Sequence, residues 1–199
     1  ITYSGSNDYT VSDSTISASQ LNSLNAQYSG TVDATAVTTI TGTSADIATV
    51  YSSSGISGLG NEEVTLTNAH TLAELKAINN ATSGQLTLND YSVALIGSSA
   101  DVAAALAGSF ADTYSGTATL NDNHSLAELV AINNGTTGNI TLNSNAVALT
   151  GSTSDIKAAL AGNVGAAYTG NIVLNDANGT GIAATDITTI ESDTTGTIT

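Results

Sequence analysis

The sequence predicts an α/β repeat: an elongated β/α solenoid with parallel strand ladders and short helices, in which a step of about 27 residues pairs into a 54-residue unit. Three observations predict it. The chain matches itself at an offset of 54, helix-start signals recur at half that spacing, and short alternating apolar runs lie between them. The apolar residues are mostly Ala, Val, Ile and Leu, with aromatics at 4% and no Pro, Cys, Met or Trp. Small branched side chains of this kind suit thin, regular layers.

The self-match is long. Thr71-Leu72-Ala73-Glu74-Leu75-Lys76-Ala77-Ile78-Asn79-Asn80 returns as Ser125-Leu126-Ala127-Glu128-Leu129-Val130-Ala131-Ile132-Asn133-Asn134, and Gly84–Asn89 returns as Gly138–Asn143. Ser19–Asn25 is a weaker earlier copy. Inside this period, a Ser or Thr followed three residues later by Glu, Asp or Gln opens each helix: Ser17/Gln20, Thr43/Asp46, Thr71/Glu74, Ser98/Asp101, Ser125/Glu128 and Ser152/Asp155. The steps are 26, 28, 27, 27 and 27. The hydroxyl accepts from a free amide of the first turn, and the acid or amide reaches back. Apolar pairs such as Leu75/Ile78 and Ile156/Leu160 follow at helical spacing, and Gly or Asn closes each run. Helices are expected near 17–25, 44–50, 71–79, 99–107, 125–133 and 153–161, with a seventh start near Thr185-Asp186 after the insert 177–180.

Strands are expected at 64–66, 86–88, 118–120, 140–142 and 172–174, each with two inward apolar residues around one outward residue, and at 93–96 and 147–150. The spacing leaves open whether one physical coil is the shorter step or the whole paired unit. One solenoid over 1–199 is expected, with units near 1–61, 62–115, 116–169 and a partial 170–199.

Charge and composition exclude several functions. Seventeen acidic residues face two Lys, for a net charge of −15. That argues against nucleic acid and against anionic membrane surfaces. No apolar stretch is long enough to span a bilayer. A Cys nucleophile, a phosphate loop and an HExxH helix are all missing from the sequence, so a non-catalytic protein is expected.

The candidate binding face is the outward side of the strands. Its central positions carry Thr65, Thr87, Thr119, Thr141 and Val173, and the next outward positions carry Thr67, Asn89, Asn121, Asn143 and Asn175. Stacked, these would form Thr and Asn ladders, a polar surface or an array for ice, glycans or a neighbouring filament. Asp176, Asn178 and Thr180, before Gly181, resemble the start of a Ca²⁺ loop, although position 12 is Ile187 rather than Glu. Ca²⁺ is therefore the one cofactor considered. His70 and His124 occupy equivalent positions of the repeat and are read as turn residues, with a metal pair as the alternative, although no third ligand type recurs beside them. Asn80, Asn134, Asn139 and Asn178 fit the glycosylation sequon.

Thr194–Thr199 match Thr136–Thr141, and Tyr3-Ser4-Gly5 matches Tyr114-Ser115-Gly116. The pattern thus starts and stops inside a unit. Continuation in both directions, or end-to-end stacking of copies, is expected, with Ile187, Ile190 and Ile198 in the terminal layer.

The phrase from Ser125 to Thr141, SLAELVAINNGTTGNIT, resembles the Ala/Thr-rich tandem repeats of very large secreted bacterial surface proteins. These are familiar in cyanobacteria and other aquatic bacteria, in adhesin-like or surface-layer-like polypeptides, often exported by one-step secretion systems. The resemblance covers nearly the whole chain in style and implies an extracellular, structural or adhesive protein of the cell surface. Ca²⁺ is common in that group, but its glycine-rich GGxGxD nonapeptide is absent here.

Overall fold

The computed structural model describes residues 8–177 and 181–199. Their contacts divide the chain into two compact units, Ile1–Asp90 with Gly108–Asp112, and Tyr91–Ala107 with Thr113–Thr199. Both are α/β, and the strand pairings within them are parallel.

The first unit runs β1 (Tyr9–Thr10), β2 (Thr15–Ser17), α1 (Ala18–Gln27), β3 (Val32–Asp33), β4 (Thr39–Gly42), α2 (Ser44–Ser52), β5 (Ile56–Ser57), β6 (Glu63–Leu66), α3 (Leu72–Ala81) and β7 (Leu86–Thr87). One sheet has the order β2-β4-β6-β7 and another β1-β3-β5. Ile16, Ile40, Val64 and Leu86 lie in register and are buried. Leu21, Ile47, Leu75 and Ile78, one or two from each helix, are also fully buried. Alternation puts every second strand residue inward, and the helical stripes cover that side.

The second unit holds β8 (Leu95–Gly97), α4 (Ser99–Leu106), β9 (Ala118–Leu120), α5 (Leu126–Gly135), β10 (Ile140–Thr141), β11 (Leu149–Gly151), α6 (Thr153–Leu160), β12 (Ile172–Leu174) and α7 (Ala184–Asp193). Leu95, Ala118 and Ile140 form one inward row, which a bridge extends to Val164. Leu149 and Ile172 form another, extended to Ile198. Val102, Leu129, Ile132 and Ile156 cap these rows from the helices, each at 0% exposure.

Helices lie close to the expected positions, and the strands expected at 93–96 and 147–150 are found at Leu95–Gly97 and Leu149–Gly151. Helices α3 and α5 have equal lengths and start at matching positions of the repeat, Leu72 and Leu126, as α4 and α6 do at Ser99 and Thr153. The pairing step differs from both spacings the sequence left open. Paired strand residues lie 22 to 26 positions apart, both where the two strands precede successive helices, as β2 and β4 do, and where they flank one helix, as β9 and β10 do. In the order β8-β9-β10, extended by Val164, β8 and β9 precede helices while β10 and Val164 follow them. The seventh helix starts at Ala184, one residue before the expected pair, and its N-cap, Ala183, supplies no side-chain bond.

Glycines at the close approaches are sterically required. A Cβ on Gly170 would sit 1.9 Å from the Val147 carbonyl oxygen and 2.8 Å from the Tyr168 ring. The first obstacle is backbone, and the Tyr168 ring is buried. Gly170→Ala should lower stability in urea denaturation by about 2 kcal/mol or more, as overpacking against backbone does. Gly181→Ala, with nothing within 4 Å, should change it by less than about 0.5 kcal/mol.

Candidate functional site

The outward Thr residues do not form one ladder. Thr65 pairs with Thr87, and Thr119 pairs with Thr141. On its other side Thr119 meets Ile96, which is 66% exposed, and Val173 pairs with Thr150. These positions therefore fall in three sheets, one in the first unit and two in the second. Asn89, Asn121, Asn143 and Asn175 are exposed where the chain leaves its strands. Asn143 Nδ2 donates to Asn123 Oδ1 at 3.2 Å rather than to Asn121. The outward positions Ile96, Thr119, Thr141, Thr150 and Val173 carry no charge, in a chain of net charge −15.

The densest polar chemistry lies instead at the helix starts. All six expected cap hydroxyls accept from the amide three residues on. The reciprocal bond closes at Ser17, Thr71 and Ser125, where Gln or Glu stands third. At Thr43 and Ser152 the shorter Asp reaches only the cap hydroxyl, at 2.9 and 2.8 Å.

The helices opened by Asp gain another partner from further along the chain. Ser44 N–H donates to Asn68 Oδ1 at 2.8 Å, Ser99 N–H to Asp122 Oδ1 at 2.7 Å, and Thr153 N–H to Asp176 at 3.1 Å. The acceptors occupy equivalent positions in successive repeats. Ser44 and Ser99 are buried, and their hydroxyls donate to Glu74 and Glu128 at 3.0 Å. Thr153 Oγ1 donates to Asp176 at 2.6 Å. These partners satisfy hydroxyls and amides that would be costly to bury alone. The Ser125 backbone amide, followed against burial by the Ser125 and Ser99 hydroxyls, holds the Glu128 carboxyl below its ordinary range. The Thr153 hydroxyl does the same for Asp176. The sequence carried this signal as Asn68, Asp122 and Asp176, but spacing alone cannot say which amide each one meets.

Asp176, the first residue of the expected Ca²⁺ loop, therefore spends its carboxylate on the start of α6. Asn178 and Thr180 lie outside the described residues. Among the described residues, no group of three His, Asp or Glu side chains is arranged to hold a metal. Of the residues expected in a terminal layer, Ile190 is fully buried within its own unit, while Ile187 and Ile198 are half-buried. Helix α7 folds Ile190 inward, so it offers no exposed surface.

His70 and His124, in the segments before α3 and α5, are buried at 3% exposure. His124 Nε2 lies 3.1 Å from Tyr168 Oη, whose proton goes to the Val147 carbonyl at 2.6 Å. Burial pushes the Tyr168 phenol up to about 12, and pushes both imidazoles below their ordinary value.

No known family, curated protein or solved structure matches the chain. Among the described residues, no helix is long and apolar enough to cross a membrane.

Removing the distal acceptor should matter as much as removing a cap. Asp122→Ala strands the Ser99 amide at a buried helix start, and should cost about 1–3 kcal/mol in urea denaturation. Ser125→Ala should cost about 1 kcal/mol. Because the Glu128 and Asp176 carboxyls are held low, their contribution is complete above the ordinary carboxyl range and is lost as pH falls through and below it. A denaturation series from pH 6 to 2.5 checks this, and Glu128→Gln should flatten part of the slope.

Proposed function

We propose that the chain is a non-catalytic, extracellular structural or adhesive segment, a solenoid whose task is to extend and to join copies end to end at a cell surface. The observation that carries this reading is the set of distal helix-start bonds, Asn68 to Ser44, Asp122 to Ser99 and Asp176 to Thr153. Each fastens a helix to the next turn of chain, and the same fastener recurs once in every full repeat. Such nearest-neighbour bonding is what an extendable stack of units requires. The resemblance of the 125–141 phrase to secreted surface repeats supports the extracellular assignment.

The test is to lengthen the protein by one period. Inserting a second copy of residues 98–151 after Gly151 regenerates a Gly-Ser junction and keeps each distal bond in phase. The longer chain should fold with undiminished stability, and its longest dimension in small-angle scattering should grow by about 15–20 Å, four strand spacings. Duplicating 125–151 alone puts Leu126 where Thr153 makes its bond, and should destabilise. Electron micrographs of both samples should show rods joined at their ends. A compact sphere that grows equally in all directions would overturn the solenoid, and isolated particles would overturn the stacking.

A second reading rests on the uncharged strand face. Thr119 and Thr141 in register beside exposed Ile96 offer hydroxyls and apolar surface without charge, which suits a neutral ligand such as a glycan or ice. Glycan-array binding or thermal hysteresis, abolished by Thr141→Glu at unchanged thermal stability, would favour this reading. Inactivity in both assays would remove it.

A further inference from the structure

We infer that the His124–Tyr168 contact is an acid-sensitive latch, which on protonation of His124 frees the segment around Tyr168 and the 194–199 segment that it carries. The proton positions follow from the hydrogen bonds. Tyr168 has one hydroxyl proton, and it is committed to the Val147 carbonyl at 2.6 Å. Its oxygen must therefore accept from His124 Nε2, 3.1 Å away, so the neutral imidazole carries its proton on Nε2 and leaves Nδ1 as a bare acceptor. That Nδ1 is buried and has no hydrogen-bond partner.

A second proton would place a donor with no acceptor, and a full charge, on a side chain that is 3% exposed. The charged groups facing the ring are Glu128 on α5 and Asp122 in the turn before it, and both favour the imidazolium. Burial outweighs them, so the folded unit prefers the neutral ring. With the folded-state value depressed, the latch is closed above the ordinary His range near 6.5 and weakens as pH falls below it.

Tyr168 is the point where this strain would be felt. Its hydroxyl holds Val147, and its carbonyl accepts from Thr195 N–H at 2.9 Å and from the Thr194 hydroxyl at 3.2 Å. Its ring packs edge-on against His124, with centroids 5.9 Å apart. Losing the His124 contact loosens both neighbours of Tyr168 together, while the Leu95–Ala118 pairing has no bond to either residue.

Amide hydrogen exchange by NMR on the intact chain at pH 7.5 and 5.0, corrected for intrinsic rates, tests the latch. Amides of Thr169, Gly170, Ile172 and Thr195 should gain about tenfold in opening at pH 5.0, the scale of one proton per pH unit. Leu95 and Ala118 should not change. His124→Gln, which keeps a donor toward Tyr168 but does not titrate, should abolish the difference, and His70→Gln should preserve it. The imidazole resonances of His124 in the unmodified protein give a readout independent of any variant, and should titrate below the ordinary His range. Titration at or above that range, uniform acceleration over the whole unit, or an unchanged response in His124→Gln would each overturn the latch.

Discussion

Neighbouring strands lie about 4.8 Å apart, whereas packed helices lie about 8–10 Å apart. A chain that alternates helix and strand must reconcile the two spacings, and the rest of this protein follows from how it does so. In the second unit each sheet takes strands from both ends of its helices, so that β9 and β10 flank α5 and pair directly. Four strand positions then span about the width of two helices. In the first unit β6 and β7 likewise flank α3 and pair directly, while β2, β4 and β6 precede successive helices in that same sheet and β1, β3 and β5 form another.

The alternation has a chemical counterpart. Helices α3 and α5 begin with Leu and close a full box with Glu, whereas α2, α4 and α6 begin with a buried Ser or Thr and borrow an acceptor from further along the chain. Part of the acidic excess is explained by this. Glu74, Glu128, Asp122 and Asp176 all sit on helix starts, where the partial positive charge of the N-terminus and its free amides favour carboxylates. Asp176, read from sequence as a Ca²⁺ ligand, has the same occupation as Asp122 one period earlier.

Burial of the histidines is another feature that local spacing does not reveal. His70 and His124 stand just before a capping hydroxyl, a place where polar residues normally face water. Tyr168, far along the chain from His124, closes over that ring and takes up one of its nitrogens. No local pattern links those two positions.

What the sequence determined by itself was the inventory and its order: helices at the capping boxes and strands at the short apolar alternations. Those signals are local, since a cap bond spans three residues and a strand stripe spans two. Which strand lies beside which was decided only by tertiary packing. Thr87 and Thr119 are both outward residues of similar strands, yet Thr87 meets Thr65 and Thr119 meets Ile96 and Thr141. The same packing buried Ile190 and turned Asp176 toward Thr153. Sheet order and distal acceptors depend on fitting two element widths to one another, and that fit is a property of the assembled layers rather than of any window of sequence.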